Sequence, residues 1–231
     1  MTNTVIFNSC RFNLLPIGTV AHEWFMGIAA VAKSYTNANE IGLREWVACF
    51  GAGTLSIALT DTFGTEQFLK GFSKTCNLVD PPQTYAQLFN GVRQDSGNPE
   101  EFAKRMRRYY DAEGIKERKT IVFSDSLDVD HCIQLRQISE KEGFDTSFGV
   151  GTHLTNDFQH VKSGGKSTPL NIVIKISSAN GTYAVKLSDN LGKNTGDSKE
   201  VQRAKEELGY VEKQWAEGDE SRRWGREGEN A

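Results

Sequence analysis

Cysteine is scarce and scattered in this sequence. Its four residues, Cys10, Cys49, Cys76 and Cys132, form no CxxC pair. Neither a zinc site nor a disulfide frame is suggested by that pattern, and a reducing cytosol is the default compartment. The nucleus is a second expected location. No apolar run approaches the roughly 20 residues needed to cross a bilayer, so no membrane partner is expected. The opening MTNTVIFNSC lacks the basic start and long apolar core of a signal peptide. A formal net charge of −3 provides no basic footprint for nucleic acid. The second histidine of a zinc-protease helix is missing as well: His22-Glu23 is followed by Met26 where it would stand. No low-complexity repeat is present. What remains is an ordinary globular composition, 38% hydrophobic and 25% charged. The 231 residues suffice for one substantial core or one domain with an appendage.

The chain alternates between two kinds of pattern. A helix is expected from about His22 to Tyr35, apolar almost all round as in a buried helix. A second follows, with Asn39 as its N-cap and Gly51 closing it; Leu43, Trp46, Val47 and Phe50 repeat at helical spacing. LSIALTDT (55–62) reads as a strand ending in Asp61, and NGVRQDSG (90–97) as one ending in Asp95. Asn98, Pro99 and Glu101 then spell a helix start of cap, first-turn proline and capping-box acid. Phe102, Met106, Tyr109 and Tyr110 give that helix an apolar face. TIVFSDS (120–126) is the next strand, ending in Asp125. Val129, Cys132 and Ile133 begin another helix, which Gly143 closes, and TSFGVGT (146–152) is a strand ending in glycines.

The spacing carries the fold class. Asp61 to Asp95, Asp95 to Asp125 and Asp125 to Gly151 are 34, 30 and 26 residues. Each interval holds one strand and one helix, the length of a βα unit with parallel strands. The polar residues fall at strand C-termini, the ligand face of a β/α barrel and of a doubly wound sheet alike. Four or five units are too few for a complete barrel, so an α/β chain forming part of one is expected. Such a part leaves a sheet edge and apolar helix faces uncovered, which predicts weak stability or association. Residues 170–189 read as two strands around Asn180-Gly181, and 198–210 as a polar helix. These divisions predict a barrel-like core over 1–165, a hairpin and helix completing it over 166–211, and a loosely ordered charged tail over 212–231.

The candidate chemistry lies at the strand ends. Consecutive N–H groups in GVGT (Gly149, Gly151, Thr152) can cradle a phosphate, although Gly-x-Gly is common in plain turns. One strand-end aspartate is more often a helix cap. Asp61, Asp95 and Asp125 at matching positions suit Mg²⁺ or sugar hydroxyls. Arg93 points to the same side of its strand as Asp95; it either pairs with an aspartate or offers its fork to a phosphate or carboxylate. A lone His22 is more commonly a satisfied core residue than a reactive one. His131, His153 and His160 read as structural or surface residues.

PIGTVAHEWF, ALTDTFGT, GVRQDSGNP, FSDSL and FGVGTHLTNDF, in that order, resemble the nicotinate phosphoribosyltransferase family, in particular its eukaryotic fungal type. PLNIVIKI and KLSDNLGKN extend the match to about residue 215. The resemblance implies an irregular β/α barrel of the type II phosphoribosyltransferase kind. It implies an enzyme that joins nicotinate to phosphoribosyl pyrophosphate, giving nicotinate mononucleotide and pyrophosphate for NAD biosynthesis. It implies ATP as a co-substrate consumed through a phosphohistidine (a ligase-class reaction), Mg²⁺ as cofactor, and a homo-oligomer in the complete enzyme. Carried onto matching positions, it makes His22 the phosphorylated histidine. Asp61 orients it or shares its polar floor. Arg93 and Asp95 line the pyridine and ribose pocket. Asp125 holds ribose hydroxyls or Mg²⁺, and Gly149, Gly151 and Thr152 hold the 5′-phosphate. Family members are much longer, with an N-terminal domain, the first part of the barrel and an arginine-rich segment before these motifs. A non-catalytic truncated paralogue or fragment, and a nicotinamide or quinolinate phosphoribosyltransferase, are the alternatives.

Overall fold

The computed structural model describes residues 11–13, 20–156, 158–165, 167, 173–190 and 193–211. PIGT at 16–19, the stretch 170–172 and the charged tail from 212 lie outside the described residues. The elements are α1 (His22–Ala32), α2 (Ala38–Phe50), β1 (Ile57–Leu59), α3 (Thr65–Phe72), β2 (Thr75–Cys76), β3 (Gln83–Thr84), α4 (Tyr85–Leu88) and β4 (Gly91–Gln94). They continue with α5 (Pro99–Ala112), β5 (Thr120–Phe123), α6 (Val129–Lys141), β6 (Asp145–Phe148), α7 (Thr152–Thr155), β7 (Ser178–Ala179), β8 (Thr182–Tyr183) and α8 (Ser198–Leu208).

Four strands form one parallel sheet in the order β1-β4-β5-β6. Gly91 pairs with Ile57 on one side and with Thr120 on the other, and Thr120 pairs with Asp145. The strands therefore start level and end level, so their C-terminal loops share one edge. The spatial order of the strands never reverses. Right-handed crossovers repeated in one direction place every connecting helix on the same side, which is the winding of a barrel. A doubly wound sheet reverses at a switch point, and the described strands contain none. Strand order thus decides what spacing left open: the sheet is a sector of a β/α barrel.

The core fills the space between the sheet and its helices. Ala58, Leu59, Val92, Ile121 and Phe123 are buried on the strands, and Phe68, Phe72, Phe102, Met106 and Tyr110 on α3 and α5. Phe72 sits among aromatic rings, with Phe68 at 4.8 Å, Phe89 at 5.9 Å and Tyr109 at 6.1 Å between centroids. Each such burial stabilises the fold by about 1.5–3 kcal/mol. α5 starts where the sequence signals it: the Asn98 side chain accepts from the Glu101 N–H at 2.9 Å, with Pro99 in the first turn. α8 is held to the α1–α2 turn by Glu207, which accepts from the N–H groups of Tyr35 (2.7 Å) and Thr36 (2.9 Å).

Several expectations need correction. Asn39 does not cap α2; the N-cap is Asn37, and Asn39 is buried inside the helix where α2 packs tightly on Gly71 of α3. α6 does begin at Val129 as expected, with Val129 and Ile133 half exposed and Leu135 and Ser139 turned inward. The strands are shorter than their apolar runs. Asp61, Asp95 and Asp125 lie just beyond them, because the chain leaves the ladder there to bond side chains across the site. Of the expected hairpin, the paired strands among the described residues are Ser178–Ala179 and Thr182–Tyr183. They flank Asn180 and Gly181, both at positive φ, as a tight hairpin turn requires. Ala184 adds one more rung, its N–H donating to the Ser177 carbonyl at 3.0 Å, and Val185 and Leu187 then turn to the core. They are buried, and the Leu187 N–H bonds the Thr62 carbonyl at 2.8 Å. The β2–β3 pair had no readable pattern, being two residues a side.

Candidate functional site

His22 opens α1 with its side chain almost fully buried. Its Nδ1 lies 3.0 Å from Thr62 Oγ1 and its Nε2 2.8 Å from Asp95 Oδ2. Asp61, from the loop after β1, is equally buried. Its Oδ1 stands 3.9 Å from His22 Nε2, too far for a hydrogen bond, and has no hydrogen-bond partner among the described residues. Its Oδ2 accepts from Ser96 Oγ at 2.5 Å. Asp95 is therefore the carboxylate that fixes the imidazole, and Asp61 is a second carboxyl group on the same floor.

Asp95 is held from both sides. Arg93 Nη2 donates to its Oδ1 at 3.0 Å and Ser124 Oγ does so at 2.7 Å, while Arg93 Nε donates to Ser124 Oγ at 2.8 Å. Arg93 and Asp95 are two residues apart at the end of β4, so their side chains leave on one side. Burial alone would push the Asp95 carboxyl up. The His22 hydrogen bond, the Arg93 charge and the Ser124 hydroxyl outweigh it and hold the group far below the usual carboxylate range. Asp95 is ionised and can only accept, which places the ring proton of a neutral His22 on Nε2 and the lone pair on Nδ1.

Asp125 lies after β5, with its Oδ2 3.1 Å from Lys193 Nζ and its Oδ1 accepting from Ser126 Oγ at 3.0 Å. Lys193 also reaches the Asp95 carbonyl at 3.5 Å. This lysine ties the strand-end aspartates to the C-terminal segment. Mg²⁺ commonly takes one or two carboxylates and several waters, the rest coming from substrate phosphates. Asp125 presents oxygen donors of that kind, each already with one partner, Lys193 on Oδ2 and Ser126 on Oδ1. Ligand atoms of His22, Asp61 and Asp95 lie within 4.8 Å of one another, but the hydrogen bonds just described already use both ring nitrogens. That cluster is a hydrogen-bonded network.

The glycine turn requires a correction. The Gly149 N–H donates to the Phe123 carbonyl at 2.8 Å. It prolongs the β5–β6 ladder and cannot hold a phosphate. A methyl added at Gly149 would meet the Ser124 Cβ at 3.4 Å, an ordinary contact. Gly151 and the backbone of Thr152 begin α7 at the same sheet edge. His131, His153 and His160 stay outside the network. His131 pairs with Asp128 at 3.1 Å, and the His160 ring accepts weakly from the Ser163 N–H at 3.4 Å.

Sequence reasoning missed Thr62, Ser96 and Ser124, whose hydroxyls fix His22, Asp61 and Asp95. Each neighbours a strand-end aspartate, but Ser and Thr there read as turn formers. It also missed Lys193 and Asp189. Asp189 Oδ1 accepts from the Thr65 N–H at 2.9 Å, and its Oδ2 from Thr65 Oγ1 at 2.5 Å.

Comparison with known proteins gives a consistent result. A model of the "Nicotinate phosphoribosyltransferase (NAPRTase) family" matches residues 2–212. Nicotinate phosphoribosyltransferase of Saccharomyces cerevisiae is 45% identical over 226 residues, covering 96% of this chain and 50% of that protein. The enzyme of that name from Methanosarcina acetivorans is 40% identical over 193 residues, 83% of this chain and 44% of its own. A crystal structure of nicotinate phosphoribosyltransferase from Vibrio cholerae superposes with a TM-score of 0.78 at 33% identity, covering 90% of this chain and 47% of that one. The chain spans about half the length of the curated relatives it matches.

Proposed function

Because the chain belongs to the nicotinate phosphoribosyltransferase family, we propose that it supplies the strand-end half of a site that transfers phosphoribosyl to nicotinate with ATP-driven phosphorylation of His22. The substrates are nicotinate, phosphoribosyl pyrophosphate and ATP. In the transfer, the bond between C1 and pyrophosphate breaks and the pyridine nitrogen bonds to C1. Positioning and fixed charge supply most of the acceleration. Arg93, braced by Asp95 and Ser124, turns the rest of its guanidinium to a substrate carboxylate or phosphate. Asp125 takes ribose hydroxyls or the Mg²⁺ that accompanies the diphosphate, and Lys193 offsets the charge beside it. Mg²⁺ supplies neutralisation of the diphosphate when bound.

The observation that carries this reading is the bonding of His22. Nδ1 holds the lone pair and attacks the γ-phosphorus of ATP as the Thr62 hydroxyl turns aside. The N–P bond forms, the bond to the β-phosphate oxygen breaks, and ADP leaves. The ring becomes cationic with Nε2–H still on Asp95, whose fixed negative charge stabilises it. Phe25 and Met26 on α1 are buried and keep that region apolar, which protects a phosphoramidate from water.

A product assay with nicotinate, phosphoribosyl pyrophosphate, Mg²⁺ and ATP tests the proposal in a full-length enzyme containing this segment. Nicotinate mononucleotide is expected, in larger amount when ATP is present. Preference for nicotinamide or quinolinate would reassign the substrate. Absence of product in a folded protein would favour the non-catalytic reading.

A further inference from the structure

Ser124 follows β5 and stands against the end of β4. Its own N–H still donates to the Gln94 carbonyl at 3.1 Å, so the parallel ladder fixes its place. Its hydroxyl oxygen accepts from Arg93 Nε at 2.8 Å and lies 2.7 Å from Asp95 Oδ1 and 3.0 Å from the Gln94 carbonyl. A hydroxyl has one proton. The ionised carboxylate is the stronger acceptor and the closer one, so the proton goes to Asp95. Arg93 Nη2 donates to the same Asp95 oxygen at 3.0 Å. Arg93, Ser124 and Asp95 therefore close a ring of three hydrogen bonds.

That ring occupies one edge of the guanidinium, the edge formed by Nε and Nη2. The end edge, between Nη1 and Nη2, is left to a ligand, and Nη1 has no partner among the described residues. Arginine and a carboxylate often pair through two parallel bonds. Here the Ser124 hydroxyl stands where the second carboxylate oxygen would be. Asp95 Oδ2 thereby stays on His22 Nε2 at 2.8 Å, and one carboxylate serves both partners. Without the hydroxyl, both Asp95 oxygens can close on Nε and Nη2, and the guanidinium plane turns with them. The Arg93 and Asp95 side chains are only 23% and 18% exposed, so little water is at hand to replace the lost acceptor.

We propose that Ser124 is a positioning residue for substrate binding: by occupying Arg93 Nε, it decides which edge of the guanidinium meets the substrate. This deepens the transferase reading and rests on it. The end edge offers two parallel N–H groups and no acceptor. It takes a group with two acceptor oxygens, which is either the carboxylate of nicotinate or a phosphate of the phosphoribosyl donor. A carboxamide offers one acceptor and one donor group, so only half of it matches.

In a full-length enzyme containing this segment, Ser124→Ala is expected to raise the KM of one substrate about tenfold, the scale of a hydrogen bond to a charged group. The other KM and kcat should change less. A rise for nicotinate identifies the bound group as the carboxylate, and a rise for phosphoribosyl pyrophosphate identifies it as a phosphate. Both KM values unchanged, or both raised alike, would overturn the proposal. Nitrogen NMR of the arginine side chains reads the geometry without turnover. The Arg93 Nε–H should exchange slowly with water in the wild type and fast in Ser124→Ala, and added substrate should shift the Nη signals more than the Nε signal. If the variant does not fold, the wild type decides. A fast-exchanging Nε–H, or an Nε signal that moves most on binding, overturns the proposal; a protected Nε–H that moves less than Nη upholds it. Failure to form product would overturn the transferase reading and leave the protection of the Nε–H as it is.

Discussion

Asp95→Asn is expected to lower ATP-dependent phosphorylation of His22 by about 10²–10⁴-fold, the range over which a wrong tautomer impairs a carboxylate–histidine pair. Asparagine is nearly the same size, so packing changes little. Its amide can donate to Nε2, which moves the ring proton to Nδ1 and removes the attacking lone pair. The variant also deprives Arg93 and Ser124 of a charged acceptor and leaves the imidazolium product without its counter-charge. Rapid-quench labelling with γ-labelled ATP measures the effect. A rate within threefold of wild type would remove Asp95 from the phosphorylation step.

Gly91→Ala is expected to abolish cooperative folding. An added methyl would stand 2.0 Å from the Thr120 carbonyl oxygen and 2.8 Å from its carbon, both backbone atoms of the adjacent strand. Flexible side chains can move aside, but these atoms belong to the parallel ladder in which Gly91 pairs with Thr120. Relief requires separating β4 from β5 beneath Arg93 and Asp95. The cost exceeds the roughly 1–3 kcal/mol of ordinary overpacking, a large part of a total stability of about 5–15 kcal/mol. Near-UV circular dichroism through a urea titration reads it out. A wild-type midpoint would show that the strands can part without loss.

The βα units were legible because apolar runs and turn residues recur at matching intervals, and the α5 start because Asn98, Pro99 and Glu101 form a local code. That Asp61, Asp95 and Asp125 share one edge followed from parallel strands. Their unequal roles did not. Whether Asp61 or Asp95 bonds His22 depends on about an ångström of placement, which no spacing encodes. Lys193 and Asp189 were hidden for another reason: they return to the site 68 and 124 residues along the chain from Asp125 and Thr65, in a segment whose alternation suggests a plain hairpin. The choice between barrel and doubly wound sheet was also global, since both use the same local units and differ in strand order. Gly149 misled because a glycine whose N–H is spent on the neighbouring strand and one that exposes it look alike in sequence.

The most direct test of the central claim is the position of the phosphoryl group. A full-length enzyme containing this segment is incubated with γ-labelled ATP, and the label is mapped by alkaline-stable peptide analysis and by NMR of the modified ring. One acid-labile, base-stable phosphate is expected on His22, at Nδ1, and none in His22→Ala, which should still form product slowly without ATP coupling. Label retained in His22→Ala, or found on another residue of the wild type, would contradict the assignment of His22 as acceptor.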